Sequence, residues 1–129
     1  MTSTHEKVSR SLENERAEHT AISAAQGIEQ AFKFVEGRWK LLILFHLFGG
    51  KVLRFSDLER AIPAISQKML AQQLRQLEAD GIVQRIVHNQ IPPKVEYRLT
   101  AWGQSLCPAL DALLKWAEMR NRNAPNVGG

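Results

Sequence analysis

Two helical patterns separated by a proline, in the middle of the chain, constrain the fold more than any other sequence feature. In FSDLERAIP, Ser56 precedes Glu59 by three residues, which predicts a capping box at the start of a short helix, and Pro63 ends that helix after about two turns. In ISQKMLAQQLRQLEADG, which follows at once, Ser66 is the predicted N-cap and Gly81 the predicted C-terminal stop of a longer helix. The sequence therefore predicts a short and a longer helix with a tight turn between them.

Two β-rich runs follow the helix pair. Residues 82–88 (IVQRIVH) and 95–99 (VEYRL) flank a turn-like segment at residues 89–94 (NQIPPK), and this arrangement predicts a hairpin with a proline-stiffened loop. Further helices are predicted from apolar spacing at residues 25–35, 39–48 and 100–120. The segment 39–48 is apolar nearly all round, which is typical of a helix at the centre of a small core.

The order of these elements is that of a winged helix-turn-helix, in which the second helix of the pair enters the DNA major groove and the hairpin, or wing, reaches the neighbouring backbone. A chain of 129 residues has room for one ordinary domain. We predict a mainly α fold with a small β-hairpin wing. It comprises a polar N-terminal arm at residues 1–22, a winged helix-turn-helix domain at 23–120 and a mobile C-terminal tail at 121–129.

The positive charge is concentrated in the predicted DNA-binding segment. Residues 31–99 hold eleven Lys and Arg against six Asp and Glu, whereas residues 1–30 hold three against five. A concentrated positive field on a small domain suits an anionic partner, with double-stranded DNA first and an acidic membrane surface second. The longest apolar stretch, residues 41–48, is much shorter than the roughly twenty residues that cross a bilayer, so we expect no membrane span.

The composition also bounds the chemistry. Cys107 is the single cysteine, so the chain cannot form an intramolecular disulfide, which favours the cytoplasm. The four histidines show no metal-ligand spacing, and we find no catalytic nucleophile with a base, no GxSxG and no Gly-rich phosphate loop. We therefore expect no metal, no cofactor and no enzyme activity.

The longer helix presents two different faces. At about 100° per residue, Leu70, Leu74 and Leu77 lie on one side, and basic, amide-bearing or small residues lie on the other. Arginine can bond the O6 and N7 atoms of guanine, and glutamine the N6 and N7 atoms of adenine. The predicted base-facing residues are Gln67, Lys68, Gln72 and Arg75. The alternative is an ordinary solvated helix face.

Other polar residues are predicted to hold the DNA backbone. Ser66 lies at the helix N-terminus, where free amides favour phosphate, and the hairpin carries positive charge. The predicted backbone set is Ser66, Arg54, Arg85, His88, Gln90 and Lys94. The alternatives are ordinary solvated charge on the hairpin and, for Arg54, pairing with Asp57 or Glu59.

Three segments resemble the HxlR-type winged helix-turn-helix transcription regulators, which are related to the MarR group. They are GRWKLLIL, RFSDLERAIPAISQKMLAQQLRQLEADGIVQR and IPPKVEYRLTAWGQSL, and the resemblance covers roughly residues 26–118. It implies a sequence-specific transcription regulator, a repressor or dual regulator, that binds a pseudo-palindromic operator as a homodimer. An unidentified small-molecule effector is a further partner to expect.

The resemblance implies that the first and last helices form the dimer interface, so that the domain at 23–120 both binds DNA and dimerises. The long apolar stripe after residue 100 fits this, because it exceeds what a monomer core of this size would use. The predicted interface residues are Ile28, Phe32, Leu106, Leu110, Leu113 and Ala117.

One departure from the family concerns thiol chemistry. Many members that sense oxidants or electrophiles carry a cysteine about thirteen residues before the tryptophan that matches Trp39, and here Gln26 occupies that position. Cys107 is then the remaining candidate sensor, against the simpler interpretation of a small packed hydrophobe. The alternative functions are therefore a redox- or electrophile-responsive regulator acting through Cys107 and a winged-helix module that binds protein.

Overall fold

The computed structural model describes residues 19–123. Most of the predicted arm, residues 1–18, and the end of the predicted mobile tail, residues 124–129, lie outside the described residues, and the predicted domain boundaries stay predictions. The helices are α1 (Ala21–Lys33), α2 (Lys40–Leu47), α3 (Phe55–Ala61), α4 (Gln67–Ala79), α5 (Ala101–Gln104) and α6 (Cys107–Asn123). The strands are β1 (Leu53–Arg54), β2 (Val83–His88) and β3 (Lys94–Leu99).

The chain divides after Glu36 into two compact units, of which the first contains α1. A reciprocal capping box starts this helix. The Thr20 hydroxyl accepts from the Ser23 amide at 3.1 Å, and the Ser23 hydroxyl accepts from the Thr20 amide at 2.9 Å. The helix therefore begins at Ala21, four residues before the predicted start. None of its residues is buried.

In the second unit, α3 and α4 form the predicted helix pair, but the predicted capping box at Ser56 and Glu59 is wrong. Helix α3 begins two residues earlier, with Arg54 as its N-cap. The Arg54 amide donates to the Asp57 carboxylate at 2.8 Å. Asp57 occupies the third helical position, from which a carboxylate reaches back to the cap amide, so the acid that completes the helix start is Asp57 and not Glu59.

The core lies where α2, α3, α4 and the sheet meet. Leu70, Leu74 and Leu77 of α4 are at most 1% exposed, which confirms the predicted stripe. The other buried apolar residues of this unit are Ile43, Leu44, Leu47, Phe48, Leu58, Ile62, Ile65, Ile82, Val83 and Leu99.

Helix α2 is only half in this core. Ile43, Leu44 and Leu47 are fully buried, as expected, and Gly49 and Gly50 follow with positive φ values of 85° and 75°, a backbone conformation that suits glycine. The opposite side of the helix is exposed, with Leu41, Leu42 and Phe45 from 37% to 48% accessible. The helix is therefore central to the core through one side only, and its other apolar side is open within one copy of the chain.

The predicted hairpin is confirmed as β2 and β3, which pair antiparallel from Val83↔Leu99 to His88↔Lys94. The two-residue strand β1, too short to show a sequence pattern, adds to the other edge of β3, so the strand order is β1-β3-β2. The result is a mostly helical winged helix-turn-helix with a small antiparallel sheet, as predicted.

The last predicted helix is broken into α5 and α6. Thr100 caps α5 by accepting from the Gly103 amide at 3.0 Å, and its hydroxyl donates to the Gly81 carbonyl at 2.6 Å. Pro108 explains the break, because inside a continuous helix its ring would clash with the Gln104 carbonyl and it has no amide to donate. In the first turn of α6 the same proline is tolerated.

Candidate nucleic-acid interface

Helix α4 presents the predicted base-facing residues to solvent. The Ser66 hydroxyl accepts from the Met69 amide at 3.0 Å, so Ser66 is the N-cap, as predicted. Burial of the leucine stripe fixes the rotation of the helix about its axis, which turns the polar side outward. Gln67, Lys68, Gln72 and Arg75 are all exposed.

The sheet has two faces, and they divide the predicted wing residues between them. Side chains that pair directly across antiparallel strands share a face, and neighbours along a strand alternate. Arg85 pairs with Tyr97, which pairs with Leu53 on the third strand, so these three share one face. Arg85 is exposed at the surface of the protein.

This first face borders α4. An open cavity of about 360 Å³ is lined by Arg75 and Glu78 of the helix and by Arg85 and Tyr97 of the sheet, together with Ala71 and Leu74. Helix and hairpin therefore bring two arginines to the rim of one depression. Glu78 and Tyr97 were not among the predicted residues, because only the packing of α4 against the sheet places them there.

The second face, which we name the basic sheet face, carries Arg54, His88, Lys94, Glu96 and Arg98 together with the uncharged Gln84 and Ile86. Register assigns them: Arg54 pairs with Glu96 across β1 and β3, and His88 pairs with Lys94 in the last rung before the loop. Arg98 pairs with Gln84, and its Nε donates to the Gln84 Oε1 at 2.9 Å. Three predicted backbone contacts, Arg54, His88 and Lys94, thus lie on the face opposite Arg85.

Glu96 contacts two of these basic residues. His88 Nε2 donates to Glu96 Oε1 at 2.6 Å, and Lys94 Nζ lies 3.6 Å from Glu96 Oε2. The His88 hydrogen bond holds the pKa of Glu96 below its usual range, against the opposing effect of burial, and the Lys94 charge lowers the pKa further. Glu96 was not among the residues predicted to contact DNA, because those were selected for positive charge or amide groups. Its position two residues after Lys94 is the signal that places both on one face of a strand.

The remaining backbone candidates have different surroundings. Gln90 is exposed in the hairpin loop, followed by Ile91, whose side chain is fully accessible. Arg54 is exposed, and Asp57, its suggested partner, binds the Arg60 guanidinium at 2.6 Å. The contacts of all these residues with DNA stay predictions.

The predicted dimer residues are largely uncovered in one copy. Ile28 and Phe32 of α1 are 58% and 51% exposed, and Leu113 of α6 is 45% exposed. Ala117 is also exposed, whereas Leu106 and Leu110 are half-buried. Helix α6 further exposes three large apolar residues outside the predicted set, namely Leu114, Trp116 and Met119.

Cys107 is half-buried at the start of α6. It lines an open groove of about 790 Å³, mostly apolar, with Phe45 and Phe48 of α2 and with Ala101, Gln104, Ser105, Pro108 and Asp111.

Across residues 19–123, no three His, Cys, Asp or Glu side chains group closely enough to hold a metal ion. No helix in the same range is long and apolar enough to span a membrane.

The sequence matches a known family of regulators. A family model described as HxlR-like helix-turn-helix matches residues 34–124. The chain belongs to this HxlR-like family. It is 54% identical over 89 residues to YtcD, an uncharacterized HTH-type transcriptional regulator of Bacillus subtilis (strain 168), and the match covers 69% of this chain and 70% of YtcD. This HxlR-like protein is therefore a helix-turn-helix transcription regulator by family, as the sequence predicted.

Solved structures of similar fold agree. A transcriptional regulator of the MarR family from Enterococcus faecalis V583 superposes with a TM-score of 0.74 at 38% identity, covering 78% of this chain and 90% of that one. The redox regulator HypR in its reduced form gives a TM-score of 0.68 at 43% identity, covering 76% and 95%. At these identities the likeness extends over nearly the whole length of both relatives.

Proposed function

We propose that this HxlR-like protein binds a pseudo-palindromic operator as a homodimer and controls transcription, as a repressor or dual regulator. The observation that carries the proposal is the exposed side of α4, where Gln67, Lys68, Gln72 and Arg75 stand on a helix whose leucine stripe is anchored in the core. A helix held rigidly by its apolar side can present donors and acceptors to base edges in the major groove.

The backbone of the operator is then held from both sides of the wing. Arg85 approaches from the face that borders α4, and the hairpin end brings His88, Gln90 and Lys94. Ser66, at the N-terminus of α4, and Arg54, before α3, complete the contacts to phosphate.

A regulator of this kind acts where the DNA is, so we place it in the cytoplasm. We propose no enzymatic activity for it.

The apolar helix surfaces support the homodimer. Helix α1 buries none of its own residues, although Ile22, Ile28 and Phe32 are apolar, and α6 exposes Leu113 and Trp116. Exposed apolar patches of this kind mark interfaces. A second copy covering them would present two recognition helices, spaced by roughly 34 Å if they read successive major grooves on one side of the DNA.

Selection of bound fragments from sheared genomic DNA, with the purified full chain, tests the proposal. We expect recovery of an inverted repeat, a footprint whose half-sites lie about one helical turn apart, and preference for the selected duplex over random DNA at physiological salt. Equal affinity for selected and random duplexes would contradict it and favour a protein-binding module. Sedimentation at several concentrations tests the dimer separately.

A second candidate is regulation by thiol oxidation, because HypR is named a redox regulator and Cys107 lines the groove beside Phe45 and Phe48. Hydrogen peroxide would oxidise the Cys107 thiol to a sulfenic acid and be reduced to water. Operator affinity of the unmodified protein and of Cys107→Ser, each with and without peroxide, decides the matter. A peroxide response in the serine variant, or no response in either, removes this candidate.

A further inference from the structure

Glu96 lies at the centre of the basic sheet face and is its only acidic member. Arg54 stands across the ladder on β1, His88 lies diagonally on β2, and Lys94 and Arg98 lie two residues before and after it on β3. A carboxylate in a surface that is expected to meet phosphate opposes binding, so its position there calls for a physical role.

Both carboxylate oxygens of Glu96 are engaged by the end of the hairpin. Oε1 accepts from His88 and Oε2 lies within ion-pair distance of Lys94. These two residues form the last pair before the loop, so they are the basic residues of the ladder that extend farthest along the wing. The side chains of His88 and Lys94 are 40% and 30% exposed and that of Glu96 is 19% exposed, so the two basic side chains reach solvent more readily than the acid between them.

Arg98, on the same face, has a different partner from His88 and Lys94. Arg98 donates to the neutral amide of Gln84, which leaves its charge uncompensated. Among the described residues, the ion pairs made by side chains of the basic sheet face are confined to the hairpin end. The compensation is therefore local, and it acts on His88 and Lys94.

We propose that Glu96 is a positioning residue that holds His88 and Lys94 in a charge-compensated cluster and thereby limits the sequence-independent attraction of the wing to DNA. This inference rests on the proposed function. A phosphate that approaches the wing must compete with the carboxylate for Lys94 and for the His88 ring N–H, so the cluster contributes less counterion release than the same side chains would without Glu96. Discrimination between sequences then falls mainly to α4.

Binding of a random DNA duplex by Glu96→Gln, measured over a series of salt concentrations, tests the proposal. Removing one negative charge should steepen the slope of log K against log salt by about one, which corresponds to roughly fivefold tighter binding at physiological salt. Glu96→Asp keeps the charge and should stay within about twofold of the unmodified protein. Glu118→Gln makes the same charge change on α6 and should leave the slope unchanged.

A second set of variants asks whether Glu96 acts through its two partners. In a His88→Gln/Lys94→Gln background, adding Glu96→Gln should have no further effect. A gain that persists in that background means direct repulsion of DNA by the carboxylate and overturns the proposal. An unchanged or weaker affinity of Glu96→Gln alone also overturns it.

Two checks keep the result interpretable. Circular dichroism must show native secondary structure, and Glu96→Thr, which suits a strand, replaces the glutamine variant if that one does not fold. Failure of the proposed function appears differently, as the lack of any operator preference in the unmodified protein. The effect of Glu96 on random DNA is measurable in either case.

Discussion

Helices α4 and α6 carry the same kind of apolar stripe, and the folded chain treats the two stripes differently. Leu70, Leu74 and Leu77 of α4 are at most 1% exposed. On α6, Leu113 is 45% and Trp116 70% exposed. The periodic spacing of leucines therefore predicts a helix with an apolar face, but it does not say whether the same chain covers that face.

The difference follows from where each helix lies in the chain. Helix α4 stands between α3 and β2 in the chain and packs against β2, and with its leucine stripe buried its polar side becomes the outer surface. Helix α6 comes last, after the sheet is complete. Within residues 37–123 its C-terminal half keeps its apolar side chains accessible. One stripe is covered within the chain, and the other stays exposed, as the proposed dimer requires.

Truncating one leucine in each stripe is the most direct way to break this comparison. Leu74→Ala should lower the free energy of unfolding by about 2–5 kcal/mol, because it leaves a cavity in a packed core. Leu113→Ala should destabilise the protein only at concentrations where it dimerises. Urea unfolding at two widely separated protein concentrations distinguishes the cases. A large, concentration-independent loss in Leu113→Ala would contradict the comparison.

Gly103, on the short helix α5 that precedes α6, is buried in the core. A Cβ at this position would collide with the backbone oxygen of Ile82, so Gly103→Ala should cost about 1–3 kcal/mol. A Cβ at Gly27, on the exposed helix α1, would meet no other atom within 4 Å, and Gly27→Ala should stabilise by about 0.5–1 kcal/mol. Thermal unfolding of the two variants checks the contrast, and equal shifts would refute it.

Arginines on the two helices test the functional side of the comparison. Arg75→Ala on α4 should weaken operator binding by about 1–3 kcal/mol and relax selectivity at one base position, because a guanine contact is lost. Arg120→Ala on α6 is the charge-matched control and should change operator binding little. Affinities for a panel of single-base operator variants provide the readout. An equal loss across the panel would make Arg75 a phosphate contact.

Removing the N-cap of α4 should have a smaller effect on the stability of the protein. Ser66→Ala should destabilise the protein by about 1 kcal/mol, since the Met69 amide loses its acceptor. Ser56→Ala is the matched control, because the sequence predicts a cap there and the structure has none. Chemical denaturation of both variants decides whether capping at Ser66 matters, and equal losses would argue against it.

The smallest expected effect is a pH-dependent contribution of Glu96, in the sheet beside α4, to the stability of the protein. Glu96 has a lowered pKa in the folded protein because it accepts from His88. Its ionised form therefore contributes stability at neutral pH, and that contribution is lost as the pH falls below the ordinary glutamate value of about 4.3 and through the lowered one. The unmodified protein should exceed Glu96→Gln in stability at pH 7, and denaturation curves should converge on acidification. A gap that widens in acid would exclude this assignment.

Much of the fold was predictable because it rests on local chemistry. Ser66 begins α4, the leucine stripe faces inward, and the β-rich runs around the proline loop form a hairpin. The errors have equally local reasons. Asp57, not Glu59, reaches the amide at the start of α3, Pro108 interrupts the last helix, and β1 is too short to show a pattern.

The candidate interface was only partly predictable. Exposure of the α4 residues follows from helical periodicity alone. The separation of Arg85 from His88 and Lys94 depends on strand register, and the cavity shared by Arg75 and Arg85 depends on how the helix packs against the sheet. Glu96 was passed over because a search for DNA contacts looks for positive charge, whereas its role comes from neighbours on two strands.

The sequence by itself determined the order of elements, the inward and outward faces of α4, the basic character of the central segment and the resemblance to the HxlR-type regulators. These properties depend on residues within one or two turns of each other. The tertiary structure decided which apolar faces remain open, on which side of the sheet each basic residue lies and that Glu96 contacts two of them. Such properties depend on residues that are distant in sequence and come together only when the helices and strands pack.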